Sequence, residues 1–187
     1  LIDAQGKLTP EIEAALTNAK ILTEVEDIYR PFKPKRKTRA SVAREKGLEP
    51  LAALIMEQKN TYEKSLMEIA AEYIHIDESK DKTVKTAEDA INGAKDIIAE
   101  DISDNAEFRK AIRALTADHG LVVSKKAKEE DSVYSSYYDY NESIKKIPGH
   151  RVLAINRGEK EEFLKVDVQI DGEIILNYLF SQIITNT

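Results

Sequence analysis

The sequence predicts a mainly α protein: a multi-helix body followed by a small antiparallel β unit near residues 150–176. Three observations predict it. Ahead of Pro148, apolar residues recur three and four apart, the period of helices that bury one face. Charged residues make up 33% of the chain with both signs interspersed, as solvated helix faces require, and 42% hydrophobic residues suffice for a core. Beyond Arg151 the pattern turns to period two, with Val166, Val168 and Ile170 alternating with Asp167, Gln169 and Asp171. The expected organisation is a helical region over 1–147 that carries a basic loop at 33–46. A β unit over 148–187 then leads toward a downstream domain. The 187 residues open at Leu1 in a charged, helix-like pattern, so the chain reads as a piece of a longer protein.

The elements follow from local signals. Thr9 and Pro10 mark a helix start, and Ile12, Ala15, Leu16 and Ala19 give a stripe over 9–22. Thr23 to Glu26 reads as a capping box opening a short helix that ends before Pro31. Pro31 and Pro34 hold residues 30–37 extended, because the residue before a proline avoids the helical region. A helix over 40–46 closes at Gly47. Pro50 opens another, with Leu51, Leu54 and Ile55 on one face. Residues 61–75 read as helix through Tyr62, Leu66, Ile69, Ala70 and Tyr73, and a charged loop spans 77–85. Thr86 and Asp89 cap the next helix. Its stripe of Ala87, Ala90, Ile91, Ala94, Ile97, Ile98 and Ile102 contains residues small enough for a neighbouring helix to approach closely.

Ser103 or Asp104 starts a further helix, with Phe108, Ile112 and Leu115 inward, that stops near Gly120. Leu121 to Ser124 reads as extended, 125–131 as an exposed charged run, and 132–146 as a helix terminated by Pro148 and Gly149. Arg151 to Ile155 reads as a strand. Asp171-Gly172 is the favoured two-residue hairpin turn between the Val166 to Ile170 strand and a return strand from Glu173 to Leu176. The apolar tail from Asn177 fits either helix or strand.

Composition narrows the function. With no cysteine there is no disulfide framework and no thiolate metal site, which fits a reducing, cytoplasmic setting. No apolar run approaches the roughly 20 residues that span a bilayer, and no signal peptide is recognisable. His75, His119 and His150 lack paired metal-ligand spacing, and there is neither a Gly-x-Ser-x-Gly elbow nor a Gly-rich phosphate loop. No catalytic residue, metal or cofactor is therefore expected, and the chain reads as non-enzymatic.

The strongest functional signal is a basic island. Lys33, Lys35, Arg36, Lys37, Arg39, Arg44 and Lys46 lie within fourteen positions, opposed only by Glu45, in a chain of net charge −6. Such clustering is the electrostatic footprint of a phosphate-binding surface. Arg36 and Arg39 suit phosphate best, since a guanidinium binds it through two hydrogen bonds. The structural alternative is ion pairing with Glu24, Glu26 and Asp27, whose exposed pairs contribute roughly 0–1 kcal/mol each. Arg151, Asn156 and Arg157 are secondary candidates for ligand contact at a strand end, set against a plain strand and turn with Gly158. Tyr134, Tyr137, Tyr138 and Tyr140 could stack bases or pack in the core.

These residues also carry a resemblance. The segment from Tyr29 to Ala40, Tyr-Arg-Pro-Phe-Lys-Pro-Lys-Arg-Lys-Thr-Arg-Ala, together with Ala43-Arg-Glu-Lys-Gly-Leu-Glu-Pro-Leu-Ala, resembles the Tex family of bacterial transcription accessory proteins. So do His150-Arg-Val-Leu-Ala-Ile-Asn-Arg-Gly-Glu, Ala90-Ile-Asn-Gly-Ala-Lys-Asp-Ile-Ile-Ala-Glu and Arg109-Lys-Ala-Ile-Arg. The resemblance implies an elongated, multi-domain, nucleic-acid-binding protein with helix-turn-helix-like units in its helical N-terminal part. RNase-H-like, helix-hairpin-helix and C-terminal OB-fold RNA-binding domains follow in that family. This chain corresponds to the helical N-terminal region without them. The expected function is a nucleic-acid-binding module of a transcription accessory protein, with largely sequence-independent contact to RNA or DNA phosphates. The alternative is a scaffold that packs against downstream domains or transcription machinery.

Overall fold

The computed structural model describes residues 1–33, 37–59, 63–76 and 82–185. They form two compact units: Leu1–Arg109 with the chain end from Ile184, and Lys110–Ile183.

The first unit is helical. Thr9 accepts a hydrogen bond from the Ile12 amide and starts α1 (Pro10–Asn18). Helix α2 (Leu22–Tyr29) follows, then a 3-10 turn at Arg30–Phe32. Thr38 and Ser41 cap each other's amides at the head of α3 (Arg39–Glu45). Gly47, at φ +74°, turns the chain into α4 (Glu49–Glu57); that left-handed conformation costs glycine nothing. A reciprocal Ser65–Glu68 cap opens the short α5 (Leu66–Ala71). The longest element is α6 (Ala87–Asp104), capped where Thr86 accepts from the Asp89 amide. Asn105 then accepts from the amides of Glu107 and Phe108 at the head of α7 (Ala106–His119).

Helices α3, α4 and α5 all pack on α6. The core joins Ala40 and Ala43 of α3, Leu51 and Ala52 of α4, Ala70 of α5, and Ala90, Ile91, Ala94 and Ile97 of α6, with Leu48 and Val84. The small residues expected on α6 are thus used for close approach. A Cβ on Gly93 would stand 2.4 Å from Leu48 Cδ1 and 3.3 Å from Ala43 Cβ. Two ion pairs tie the α2 region to the far end of α6 and the head of α7. Arg109 Nε donates to Asp27 Oδ1 at 2.6 Å, and Arg30 Nε to Asp104 Oδ1 at 2.8 Å. Both carboxylates are buried, so the arginines are what make their burial tolerable.

The second unit holds a three-stranded antiparallel sheet in the order β2-β1-β3: β1 (Leu121–Lys126), β2 (Asp139–Ser143) and β3 (Leu164–Gln169). Register aligns Ser124 with Tyr140 and Val166, and Lys126 with Leu164. Helix α8 (Gly149–Lys160) packs on β3. Its Gly158 is needed there, because a Cβ would lie 2.7 Å from Leu164 Cδ1 and 3.0 Å from Tyr134 Cγ. Tyr134 is buried with its ring 6.3 Å from that of Phe163, and Tyr137 meets Tyr140 edge-on at 5.2 Å. Helix α9 (Gly172–Ile183) has no buried residue.

The mainly α fold with one small antiparallel sheet is as expected, but several elements differ. The span read as a helix over 132–146 is a 3-10 turn at Ser135–Tyr137 followed by β2, because pairing with β1 overrides a weak helical pattern rich in Ser, Asp and Asn. The strand read at Arg151 to Ile155 is the start of α8, and Pro148-Gly149 opens that helix rather than closing one. The predicted hairpin at Asp171-Gly172 is a helix start. Asp171 Oδ1 accepts from the Glu173 amide at 3.0 Å. Gly172 is not among the positive-φ glycines, whereas a type I′ turn demands positive φ at both central residues. Glu173 to Leu176 is therefore helical, and β3 pairs with β1 instead. The sheet spans 121–169, ahead of the expected 150–176. The Thr23–Glu26 box does not form, since α2 begins at Leu22 with no side-chain cap. The helix read over 61–75 is confined to α5 among the described residues. No helix among these residues is long and apolar enough to cross a membrane.

Replacing Gly93 by valine should overpack the α3–α6 contact and lower stability by about 1–3 kcal/mol. Urea unfolding would show a lower midpoint at unchanged slope. An unchanged midpoint would mean that Leu48, 1% exposed, can move aside.

Candidate nucleic-acid interface

The basic island borders a groove of about 690 Å³ in the first unit. One wall is a face of α3: Arg39, Val42, Ala43 and Lys46, at the i, i+3, i+4, i+7 spacing that stacks side chains along a helix. The opposite wall is a face of α6 with the same spacing: Asp89, Asn92, Gly93 and Asp96. Leu48 contributes apolar surface, and Lys37 and Thr38 lead into α3. Thr83 and Lys85 reach the groove for a separate reason. Val84 exchanges two backbone hydrogen bonds with His75, at 3.1 and 2.9 Å, and is buried in the core. In an extended segment the residues on either side of an inward side chain point the other way.

Four cations, Lys37, Arg39, Lys46 and Lys85, therefore share the groove with two carboxylates, Asp89 and Asp96. Arg39 stands 3.4 Å from Asp96 Oδ1 with its side chain 87% exposed. An ion pair that open contributes roughly 0–1 kcal/mol, so it leaves the guanidinium able to take another anion. Lys46 and Lys85 form no ion pair among the described residues.

Arg44 is placed differently. It projects from α3 toward the next turn of α6, where Nη1 donates to Glu100 Oε2 and Nη2 to Asp101 Oδ1, both at 2.6 Å. Glu49 approaches at 3.8 Å. Partial burial pulls its pKa down. The hydrogen bond to Glu100 and the charges of Asp101, Glu100 and Glu49 more than offset this, leaving it above the ordinary arginine value. Thr38 Oγ1 also donates to Glu100, at 2.9 Å. For Arg44 the geometry thus matches the structural alternative, although the carboxylates come from α6 and α4 rather than α2. Lys33 is exposed at the end of the 3-10 turn. Lys35 and Arg36 lie outside the described residues.

Sequence reasoning missed Lys85, Thr83 and Asn92. Lys85 lies 39 positions beyond Lys46, and only the pairing of His75 with Val84 brings it to the groove. The available signal was one apolar residue, Val84, flanked by polar ones in a charged loop.

The secondary candidates sit on α8, in the second unit. Arg151, in its first turn, donates from Nη1 to Glu142 Oε2 at 2.9 Å and to the Tyr140 hydroxyl at 3.4 Å. The Tyr140 hydroxyl also donates to Glu142. Arg151 is thus held against β2. Asn156 and Arg157 are exposed on the helix, not at a strand end. Tyr134, Tyr137 and Tyr140 make packing contacts, and Tyr138 lies under Lys126 Nζ at 4.7 Å from its ring centre. Among the described residues no group of three or more His, Asp and Glu side chains is placed to hold a metal ion.

Comparison with known proteins places this geometry in context. Residues 62–182 match the family described as Tex central region-like. The chain is 47% identical over 190 residues to the Bacillus subtilis protein named uncharacterized protein YdcI, covering all of this chain and 26% of that one. It is 35% identical over 170 residues to the transcriptional accessory protein Tex of Neisseria gonorrhoeae, covering 88% of this chain and 21% of that protein. It is 32% identical over 182 residues to the human S1 RNA-binding domain-containing protein 1, covering 91% of this chain and 17% of that protein. The chain spans about a quarter or less of the length of these relatives.

The β2–α8 network yields a pH prediction. Hydrogen bonds from Tyr140 and then Arg151 hold the Glu142 carboxyl below its ordinary value. Because the folded value is depressed, its contribution to stability is complete above the unfolded value of about 4.3 and is lost as pH falls through the lower folded value. Arg151→Met should move the Glu142 titration upward while Tyr140 keeps part of the depression. Carbon-13 NMR of the carboxyl checks this, and an unmoved titration would show that Arg151 does not stabilise the carboxylate.

Proposed function

Because the chain belongs to the Tex family, we propose that it is a nucleic-acid-binding, non-catalytic module of a transcription accessory protein. It contacts backbone phosphates largely without regard to sequence. The observation that carries this reading is the gathering of Lys37, Arg39, Lys46 and Lys85 around one open groove in a chain of net charge −6. Against that global charge, a local cationic surface attracts phosphates over about a Debye length, roughly 8–10 Å in physiological salt. The names of two relatives support the setting, one a transcriptional accessory protein and one an RNA-binding-domain protein. The short connection from α3 through Gly47 to α4 supports the helix-turn-helix character that the family resemblance implies.

A second reading is favoured by a different observation. Leu153 is 71% exposed on α8, and Leu176 and Phe180 are at least half exposed on α9. Large exposed apolar side chains on helices suit an interaction surface. In this reading the second unit is a scaffold that packs against further domains or a transcription partner, while the first unit contacts nucleic acid.

The binding reading is tested by fluorescence anisotropy with single-stranded RNA and duplex DNA across a salt series. With about three to five phosphates neutralised, log K should fall against log salt with a slope of roughly −2 to −3.5 for the single strand. Reversing Lys33, Lys35, Arg36, Lys37 and Arg39 to glutamate should abolish binding. Salt-insensitive binding, or none at low salt, would contradict the reading.

A further inference from the structure

We infer that the α3–α6 groove is a nucleotide site: it takes one phosphate on the α3 and Lys85 side and an amino-bearing base against Asp89 and Asn92. The inference rests on the phosphate-contact reading and goes further by assigning the second half of the ligand.

A volume of about 690 Å³ lies inside the roughly 300–1,000 Å³ range of sites that enclose small ligands. Double-stranded DNA is usually read by a protruding element that enters its groove. Here the cations are gathered around a concavity, with a floor of Ala43, Gly93 and Leu48. A paired duplex cannot lower a base into that space, whereas an unpaired nucleotide can.

The two walls have different chemistry. Lys46 and Lys85 are cations with no carboxylate partner among the described residues, and Arg39 adds an exposed fork of donors. The α6 face adds a carboxylate and an amide one turn apart, Asp89 and Asn92, both exposed. A carboxylate accepts hydrogen bonds and cannot donate them, so it suits exocyclic amino groups such as cytosine N4. An asparagine amide both donates and accepts, the pattern that pairs with adenine N6 and N7. Uracil presents carbonyl oxygens where cytosine and adenine carry amino groups, and those oxygens oppose Asp89. No aromatic side chain lines the groove among the described residues, so discrimination would come from hydrogen bonding rather than stacking. The same nucleotide chemistry can be supplied by a free nucleoside phosphate or by one unit of an unpaired strand.

The test is a calorimetric titration of the 187-residue chain at low salt. Probes are adenosine, cytidine and uridine monophosphate, inorganic phosphate, short adenine-rich and uracil-rich single-stranded RNAs, and an RNA duplex. Variants are Lys85→Glu, Asn92→Ala and Asp89→Asn, each checked by thermal unfolding. Adenosine and cytidine probes should bind several-fold tighter than uridine probes and inorganic phosphate, and the duplex should be weakest. Lys85→Glu should weaken all nucleotides, by roughly fivefold or more given the added repulsion. Asn92→Ala should erase the adenosine preference with little change in salt dependence, and Asp89→Asn should reduce the cytidine preference, since a neutral amide oxygen is a weaker acceptor than a carboxylate. Binding by the monophosphates alone identifies a free nucleotide as the ligand; binding by the single strands alone identifies a strand. Equal binding of adenosine, cytidine and uridine probes would overturn the inference. So would phosphate binding as tightly as the nucleotides, or duplex tighter than single strand. If Lys85→Glu, Asn92→Ala and Asp89→Asn all bind like the wild type while salt-sensitive binding of the single strands persists, the groove assignment fails and the phosphate reading stands. If no probe binds at all, both fail.

Discussion

The close approach of α3 to α6 at Gly93 is the constraint on which the first unit depends. It exists because α6 presents no side chain there and α3 presents only Ala43, with Leu48 filling the remaining space. One helix then serves several purposes on different faces. Ala90, Ala94 and Ile97 face the core; Asp89, Asn92 and Asp96 form a groove wall; Glu100, Asp101 and Asp104 anchor arginines from α3 and from the turn after α2. A bulkier residue at Gly93 would disturb the core and the groove floor together.

That arrangement divides the basic island by helical phase. Arg39, Val42 and Lys46 fall on the groove side of α3, while Arg44 points to the next turn of α6 and is held by two carboxylates at 2.6 Å. A phosphate competing for Arg44 would have to displace both acids and break contacts that help fix α3. Lys46 and Lys85 have no ion pair to break among the described residues. The linear sequence presents similar charges, but helix geometry gives Arg39, Arg44 and Lys46 dissimilar roles.

Much of this was legible in advance. The caps at Thr9 and Thr86, the glycine turn at Gly47, the alanine-rich stripe of α6 and the alternation of β3 all rest on local chemistry, and local chemistry can be read along the chain. What failed depended on partners far away in sequence. Residues 139–143 became a strand because β1 offers a backbone to pair with. Residues 149–160 became a helix because Ile155 and Gly158 recur at helical spacing against β3. Asp171-Gly172 has the composition of a hairpin turn, but an aspartate that caps its own second amide serves a helix start equally well. Lys85 was invisible for the same reason, since its place is set by the bridge between His75 and Val84.

The central claim is that ligand contact in the first unit belongs to the α3–α6 groove and not to the acid-bound side of the island. The most direct measurement is an amide NMR titration of the chain with a short single-stranded RNA at low salt. The account predicts shift changes concentrated at Lys37–Lys46 and at Thr83–Asp96, with Glu100 and Asp101 little affected. Changes confined to α8 around Arg157, or centred on Glu100 and Asp101 with the groove silent, would contradict it.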